Sequence, residues 1–364
     1  MKTYELVSII ESYAPLALQE KWDNSGLLID NDNAEITGLL LCVDITESTI
    51  EEAVAKKCNV ILSHHPLIFS GLRKISNKNY IERSVRKAIQ QGIAIYAAHT
   101  TMDVISNGVS AVMCRKIGAN PISILASNEN MLTKLVTFVP TQHAETVRKA
   151  LFEAGVGRLG NYSECSFNVQ GQGTFKANDE AHPFVGEKNT LNNEEEVRIE
   201  MLLPTYLVAQ AEKTLRAVHP YEEPAYDFIS LLNSGSNIGL GMLAELPSPM
   251  SEEAFIHLLK DVFGSKMVRT STLTGKMVRT VAVCGGSGSS LINDAIKQKA
   301  DVYVTADCKY HDFFIPENQL LLIDIGHFES EHFIKELFYD LISKKIPTFA
   351  IHFSENERNP VLYF

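Results

Sequence analysis

GLLLCVDITESTIEEAVAKKCNVILSHHP, residues 38–66, decides how the chain folds. GLLLCVDI (38–45) is a short apolar run ending at Asp44 and reads as a buried strand. TESTIEEAVAKK (46–57) reads as a helix: Thr46 can cap it and Glu47 sits in the first turn, where unpaired amides favour an acceptor and a negative charge. CNVILSHHP (58–66) is a second apolar strand, stopped by Pro66, which has no amide for a ladder. Strand, helix and strand in about 30 residues is the repeat of a largely parallel α/β sheet.

Working outward, the same grammar continues on both sides. Residues 3–12 have helical spacing, with Leu6, Ile9 and Ile10 on one side and Pro15 as a stop. A helix over 80–91, the strand GIAIYAAHT (92–100) and a helix over 107–118 follow. Near the other end come a helix over 251–263, strand 278–286, helix 289–299, strand 300–307, strand 320–326, a helix from 329 and the strand IPTFAIHF (346–353). Between them lies a different block: strand 134–140, helix 141–154, strand-like 161–176, strand 197–204, helix 206–218 and strand 225–232. That order is a ferredoxin-like split module, flanked by polar SNEN (127–130) and NSGSN (233–237). The expectation is an α/β domain with a mostly parallel sheet built from both chain ends, 1–126 and 236–364, carrying an inserted α+β domain over 127–235.

Composition narrows the function. The net charge is −11 and no basic stripe is present, which argues against nucleic acid as a partner. Arg269, Lys276 and Arg279 form a local cluster that can meet one small anion. Six cysteines without a CxxC pair fit buried thiols in a reducing compartment. The first residues are amphipathic and carry Glu5 and Glu11, unlike a secretory leader, and no apolar run reaches about 18 residues. The cytoplasm is the expected location, with no membrane contact.

The chemistry lies at strand ends, where open α/β sheets gather ligands. His64 and His65 end one strand; alternation along a strand would send them to opposite faces, so that they serve two ions on either side of its tip. Asp103 follows the next strand, with His99 in the same segment. In GHFESEHF (326–333), His327 and Glu331 are spaced to share one helical face, and a carboxylate there can bridge two ions; Glu329 and His332 point elsewhere. Nitrogen and oxygen donors without thiolates suit zinc, iron or manganese. VAVCGGSGSS (281–290) is a strand, Gly-rich turn and helix whose amides favour an anion, although the P-loop pattern is missing. VTADCKYHDF (304–313) offers Asp307, Lys309 and His311, the last suited to proton transfer. WDNSGLLI (22–29) sets the only tryptophan in a polar cluster.

At WDNSGL (22–27), SHHP (63–66), HTTMD (99–103), CGGSG (284–288), TADCKYHD (305–312) and GHFESE (326–331) the sequence resembles the Nif-three-like dinuclear-metal family, whose members carry the name GTP cyclohydrolase 1 type 2 homologue. Ala306 departs from the pattern, which has glycine there in many members. The resemblance implies two divalent ions on His64, His65, Asp103, His327 and Glu331, with Glu331 bridging, and a homohexameric ring. It also implies that the central block is a PII- or CutA-like insertion with HPYEEPAYD (219–227) as its signature. The implied activity is hydrolytic ring opening of GTP, with His311 or His99 moving protons; a phosphoester of a small molecule would use the same groups. The alternative is a non-enzymatic metal-handling or regulatory protein whose inserted module senses a ligand. A weaker third reading is an interaction scaffold.

Overall fold

The computed structural model describes residues 1–128, 131–233 and 237–363. The chain divides into two compact units, 1–127 with 237–364, and 128–236. The polar junctions at 129–130 and 234–236 lie outside the described residues.

In the first unit the quoted stretch forms the strands Leu39–Cys42 and Val60–Ser63, joined by the helix Glu47–Ala55. Thr46 caps that helix by accepting from the Thr49 amide. Every residue of the strands Leu39–Cys42, Val60–Ser63 and Ala94–Ala97 is buried, as expected for parallel strands covered on both faces. Side chains alternate: Leu40, Cys42 and Ile61 pack against Ile50 and Ala53 of one helix and Val85 and Ala88 of the helix Tyr80–Gln90. Leu39, Leu41 and Leu62 face Leu6 and Ile10 of the helix Thr3–Tyr13 and Phe338 of the helix Ile334–Lys345. The strand Ile351–Phe353 pairs in parallel with Leu39–Cys42, so the two ends of the chain share one sheet.

The single mostly parallel sheet is corrected: the unit holds two sheets. The first has five strands, in the order Gly26–Ile29, Ala94–Ala97, Val60–Ser63, Leu39–Cys42 and Ile351–Phe353, with Gly26–Ile29 antiparallel at the edge. The second has six, in the order Arg269–Thr270, Leu321–Asp324, Val302–Ala306, Met277–Ser287, Gly239–Ser251 and Asn120–Ser127. Only Leu321–Asp324, Val302–Ala306 and Met277–Ser287 pair in parallel. The sequence pattern conceals Asn120–Ser127 and Gly239–Ser251 because Pro121, Pro247 and Pro249 interrupt them, and proline normally demotes a strand. Gly239–Ser251 absorbs its prolines by a shift in register between Glu245 and Met250.

The second unit carries one antiparallel sheet, in the order Phe167–Phe175, Asn192–Pro204, Leu132–Pro140 and Tyr226–Ser230. The helices Ala144–Glu153 and Val208–Val218 bring Val147, Leu151, Ala211 and Leu215 onto Leu135, Val139, Ile199 and Met201 of that sheet.

Candidate metal centre

The parallel strands of both sheets in the first unit end at one rim. Past Val60–Ser63, His64 and His65 donate their amides to the carbonyls of Cys42 (3.1 Å) and Val43 (2.9 Å). Two consecutive amides turned to the same neighbour mean that extended alternation has stopped. The expectation that the two histidines face opposite sides is therefore corrected: both rings meet Glu331, with centroids 5.0 Å apart. Asp103 ends the short helix Thr100–Asp103 after the next strand. On the second sheet, Gly326 (φ 95°) turns the chain from Leu321–Asp324 into the helix His327–Glu331.

Each histidine is held through Nδ1. The His64 Nδ1 donates to the Ala98 carbonyl (2.9 Å), an atom that can only accept. His65 bonds Asp44 (2.8 Å), His327 bonds Asp307 (2.7 Å) and His99 bonds Asp23 (2.7 Å). This carboxylate-to-imidazole arrangement orients rings that present Nε2 to a metal. The Nε2 atoms of His65 and His327 stand 3.3 Å apart and each lies 3.0 Å from Oε2 of Glu331. The His64 Nε2 lies 3.7 Å from Oε1 of Glu331 and 3.7 Å from Oδ1 of Asp103. Lone pairs therefore converge on one another. His64 Nε2, Asp103 Oδ1 and Glu331 Oε2 are buried with no hydrogen-bond partner. Buried polar atoms are rarely left so, because desolvation costs about 1–3 kcal/mol each. A cation removes the conflict, and His64, His65 and Glu331 offer donor atoms within 4.8 Å of one another.

The electrostatics demand positive charge. Burial works against protonation of His65, but Asp44 and Glu331 push its pKa up to about 10. Burial opposes Asp307 and Glu331 at His327, which still reaches about 11. Glu331, although burial favours its neutral form, is held well below the usual range by His64, His327 and His65. Burial raises the Asp103 pKa, against the pull of His64. Without a metal, protons must fill the place between these groups.

The five candidate ligands are thus brought together, and His65, Asp103, His327 and Glu331 line a cavity of about 550 Å³ with His99. His311 lies on the turn Tyr310–Phe314, edge-on to the Tyr310 ring, and is not among the residues lining that cavity. The Gly-rich turn lines the same cavity through Gly285, Ser287, Gly288 and Ser290, while the Gly286 amide donates to Ser330 Oγ (2.9 Å) and the Gly288 amide to Thr305 Oγ1 (3.0 Å). A Cβ at Gly286, where φ is 61°, would fall on Oε1 of Glu331, so the glycine admits that carboxylate to the rim. No local pattern marks Asp44 and Asp23 as partners of His65 and His99. Their signal was position: Asp44 ends a strand, and Asp23 stands in the polar WDNSGL cluster.

The sequence model of the family described as Duf34/NIF3 (NGG1p interacting factor 3) matches residues 1–360. The chain is 38% identical over 330 residues to the GTP cyclohydrolase 1 type 2 homolog of Halalkalibacterium halodurans, covering 88% of this chain and 87% of that one. It is 35% identical over 353 residues to the protein of that name from Staphylococcus aureus strain MSSA476, covering 97% and 96%. Among solved structures it is similar to the Bacillus cereus protein related to NIF3, with a TM-score of 0.83, 36% identity, and 100% and 99% of the two chains covered. The chain belongs to the Duf34/NIF3 family.

Proposed function

We propose that the protein is a dinuclear metal-dependent hydrolase acting on a small molecule such as GTP, a related nucleotide or a phosphoester. The observation that carries this is the convergence of lone pairs about Glu331. Glu331, Asp103 and His64 would hold one ion, and Glu331, His65 and His327 the other. Such a pair, of zinc, iron or manganese, would supply Lewis acidity for hydrolysis near neutral pH. Glu331 would serve both ions, while Asp44 and Asp307 fix the His65 and His327 rings. His99, set by Asp23 and lining the cavity, is placed to hold or move a proton; His311 is not among the residues that line it. The name borne by the relatives, GTP cyclohydrolase 1 type 2 homolog, supports a nucleotide substrate.

The unit 128–236 fits an inserted ferredoxin-like, PII/CutA-like module by its strand and helix order, and the whole fits a homohexamer of the cytoplasm by family resemblance. No helix among the described residues is long and apolar enough to cross a membrane. A second reading, a metal-handling or regulatory protein, is favoured by a cavity of about 300 Å³ in that module, lined by Phe184, Tyr221 and Glu196.

The deciding experiment is elemental analysis of freshly purified protein with a nucleotide and phosphoester turnover screen. Wild type should hold two ions per chain and turn over a substrate, and Glu331→Ala should lose both properties. Bound metal without turnover under any common divalent ion would favour the second reading; wild type without metal would end the hydrolase reading.

A further inference from the structure

The metal centre accounts for only part of the WDNSGL segment. Asp23 orients His99, but the indole of Trp22 is left 58% exposed, and the Phe69 ring beside it, 5.8 Å away, is 49% exposed. Both rings line the cavity that holds His65, Asp103 and Glu331. Trp22 stands 5.9 Å and Phe69 6.3 Å from the His99 ring, which in turn lies 5.4 Å from His64 and 5.3 Å from His65. An aromatic wall therefore runs from solvent to the metal-binding rings. Flat apolar faces open beside a polar centre are suited to stacking a planar ring.

Charge in the same cavity restricts what that ring carries. Neither Lys nor Arg is among the described residues that line it; beside the candidate metal ligands Asp103 and Glu331, its lining carboxylate is Glu20. Arg269 lines a neighbouring cavity instead and is paired with Asp324. Polyphosphate binding normally draws on Arg, Lys or free backbone amides. Of the Gly-rich turn, the Gly286 and Gly288 amides are already bonded to Ser330 and Thr305, and Gly285, Ser287 and Ser290 also line the cavity.

We infer that Trp22 and Phe69 form a stacking wall that takes a purine-type ring as the base or nucleoside in preference to the triphosphate. The role of this ring as substrate rests on the hydrolase reading; its binding does not. Trp22 and Phe69 set specificity and take no part in the chemistry.

Trp22 is the only tryptophan, so its emission reports binding directly. The full-length, metal-loaded protein is titrated with guanosine, GTP and inorganic triphosphate. Guanosine should quench saturably, GTP should bind no more tightly, and triphosphate should leave the emission unchanged. Phe69→Ala should weaken guanosine about tenfold, a loss typical of a missing stacking face, while Phe69→Tyr retains affinity. Both variants should keep the metal content of wild type. Should Phe69→Ala be unstable, Phe69→Leu, which keeps bulk but no ring face, gives the same comparison. Absence of quenching by guanosine, GTP tighter by about tenfold or more, or unchanged guanosine affinity without the Phe69 ring overturns the inference. Failure of the hydrolase reading looks different: quenching persists while wild type holds no metal or turns nothing over.

Discussion

His64 in the first unit and His219 in the second are both buried histidines beyond the end of a regular element, yet they are held in different ways. The His219 Nε2 donates to the Phe138 carbonyl (3.0 Å) and its Nδ1 accepts from the Tyr221 amide (3.1 Å). Burial lowers its pKa, so the neutral ring is complete. His64 is more fully enclosed, but only Nδ1 is bonded, and Nε2 faces two carboxylates without a partner. Burial alone does not distinguish a structural histidine from a ligand. The count of satisfied nitrogens does.

The largest expected effect tests that difference directly. His64→Ala should lower metal affinity by more than the roughly 10–100-fold typical of an outer-shell change, with little loss of stability in the metal-free protein. His219→Ala should leave metal content unchanged and destabilise its unit by about 1–3 kcal/mol, because a carbonyl and an amide lose their partner. Elemental analysis and thermal unfolding of both variants check this; matching losses of metal would erase the distinction.

Next in size are the carboxylates behind the rings. Asp44→Asn and Asp307→Asn should each lower metal affinity about 10–100-fold, through orientation and basicity of His65 and His327. Competition with a chelator measures it, and unchanged affinity would show that the rings are held by packing alone. Asp307 adopts φ 54°, a strained conformation at which the conservative Asn keeps the backbone preference, so the change isolates charge.

The smallest effect contrasts two buried carboxylates. Glu331 has an oxygen without a partner, whereas Glu52 accepts from Ser354 Oγ (2.7 Å) and from the amides of Glu355 (2.8 Å) and Asn356 (3.1 Å), and pairs with Lys56 (2.8 Å). Against burial, Lys56, these amides and Ser354 bring the Glu52 pKa down from 4.5 to about 2. A depressed pKa contributes stability that is complete above the unfolded value and is lost as pH falls through the folded one. Wild type should therefore lose stability between about pH 4.5 and pH 2 in a part that Glu52→Gln lacks, and the variant should be about 1–3 kcal/mol weaker near neutral pH. Acid titration of the unfolding midpoint reads the difference; parallel curves would remove Glu52 from the account.

How much of this could be read from the chain depends on range. Apolar runs and the Thr46 cap are local, so Leu39–Cys42, Val60–Ser63, Ala94–Ala97 and the helix Glu47–Ala55 were visible in the residues themselves. Candidate ligands were visible because each follows such a run. Hidden were Asn120–Ser127 and Gly239–Ser251, whose prolines hide strands that exist only because an antiparallel neighbour accepts them.

Composition and local pattern thus settled that apolar strands alternate with helices and that His, Asp and Glu stand at their ends. Folding alone settled which nitrogen of each ring faces inward, since the acceptors Ala98, Asp44 and Asp307 come from other strand ends. Folding also brought His65 within 3.3 Å of His327 across 262 positions. The reason is physical: a side chain's chemistry is written in its own residue, but whether a lone pair is met by a donor or left open is a property of its neighbours in space.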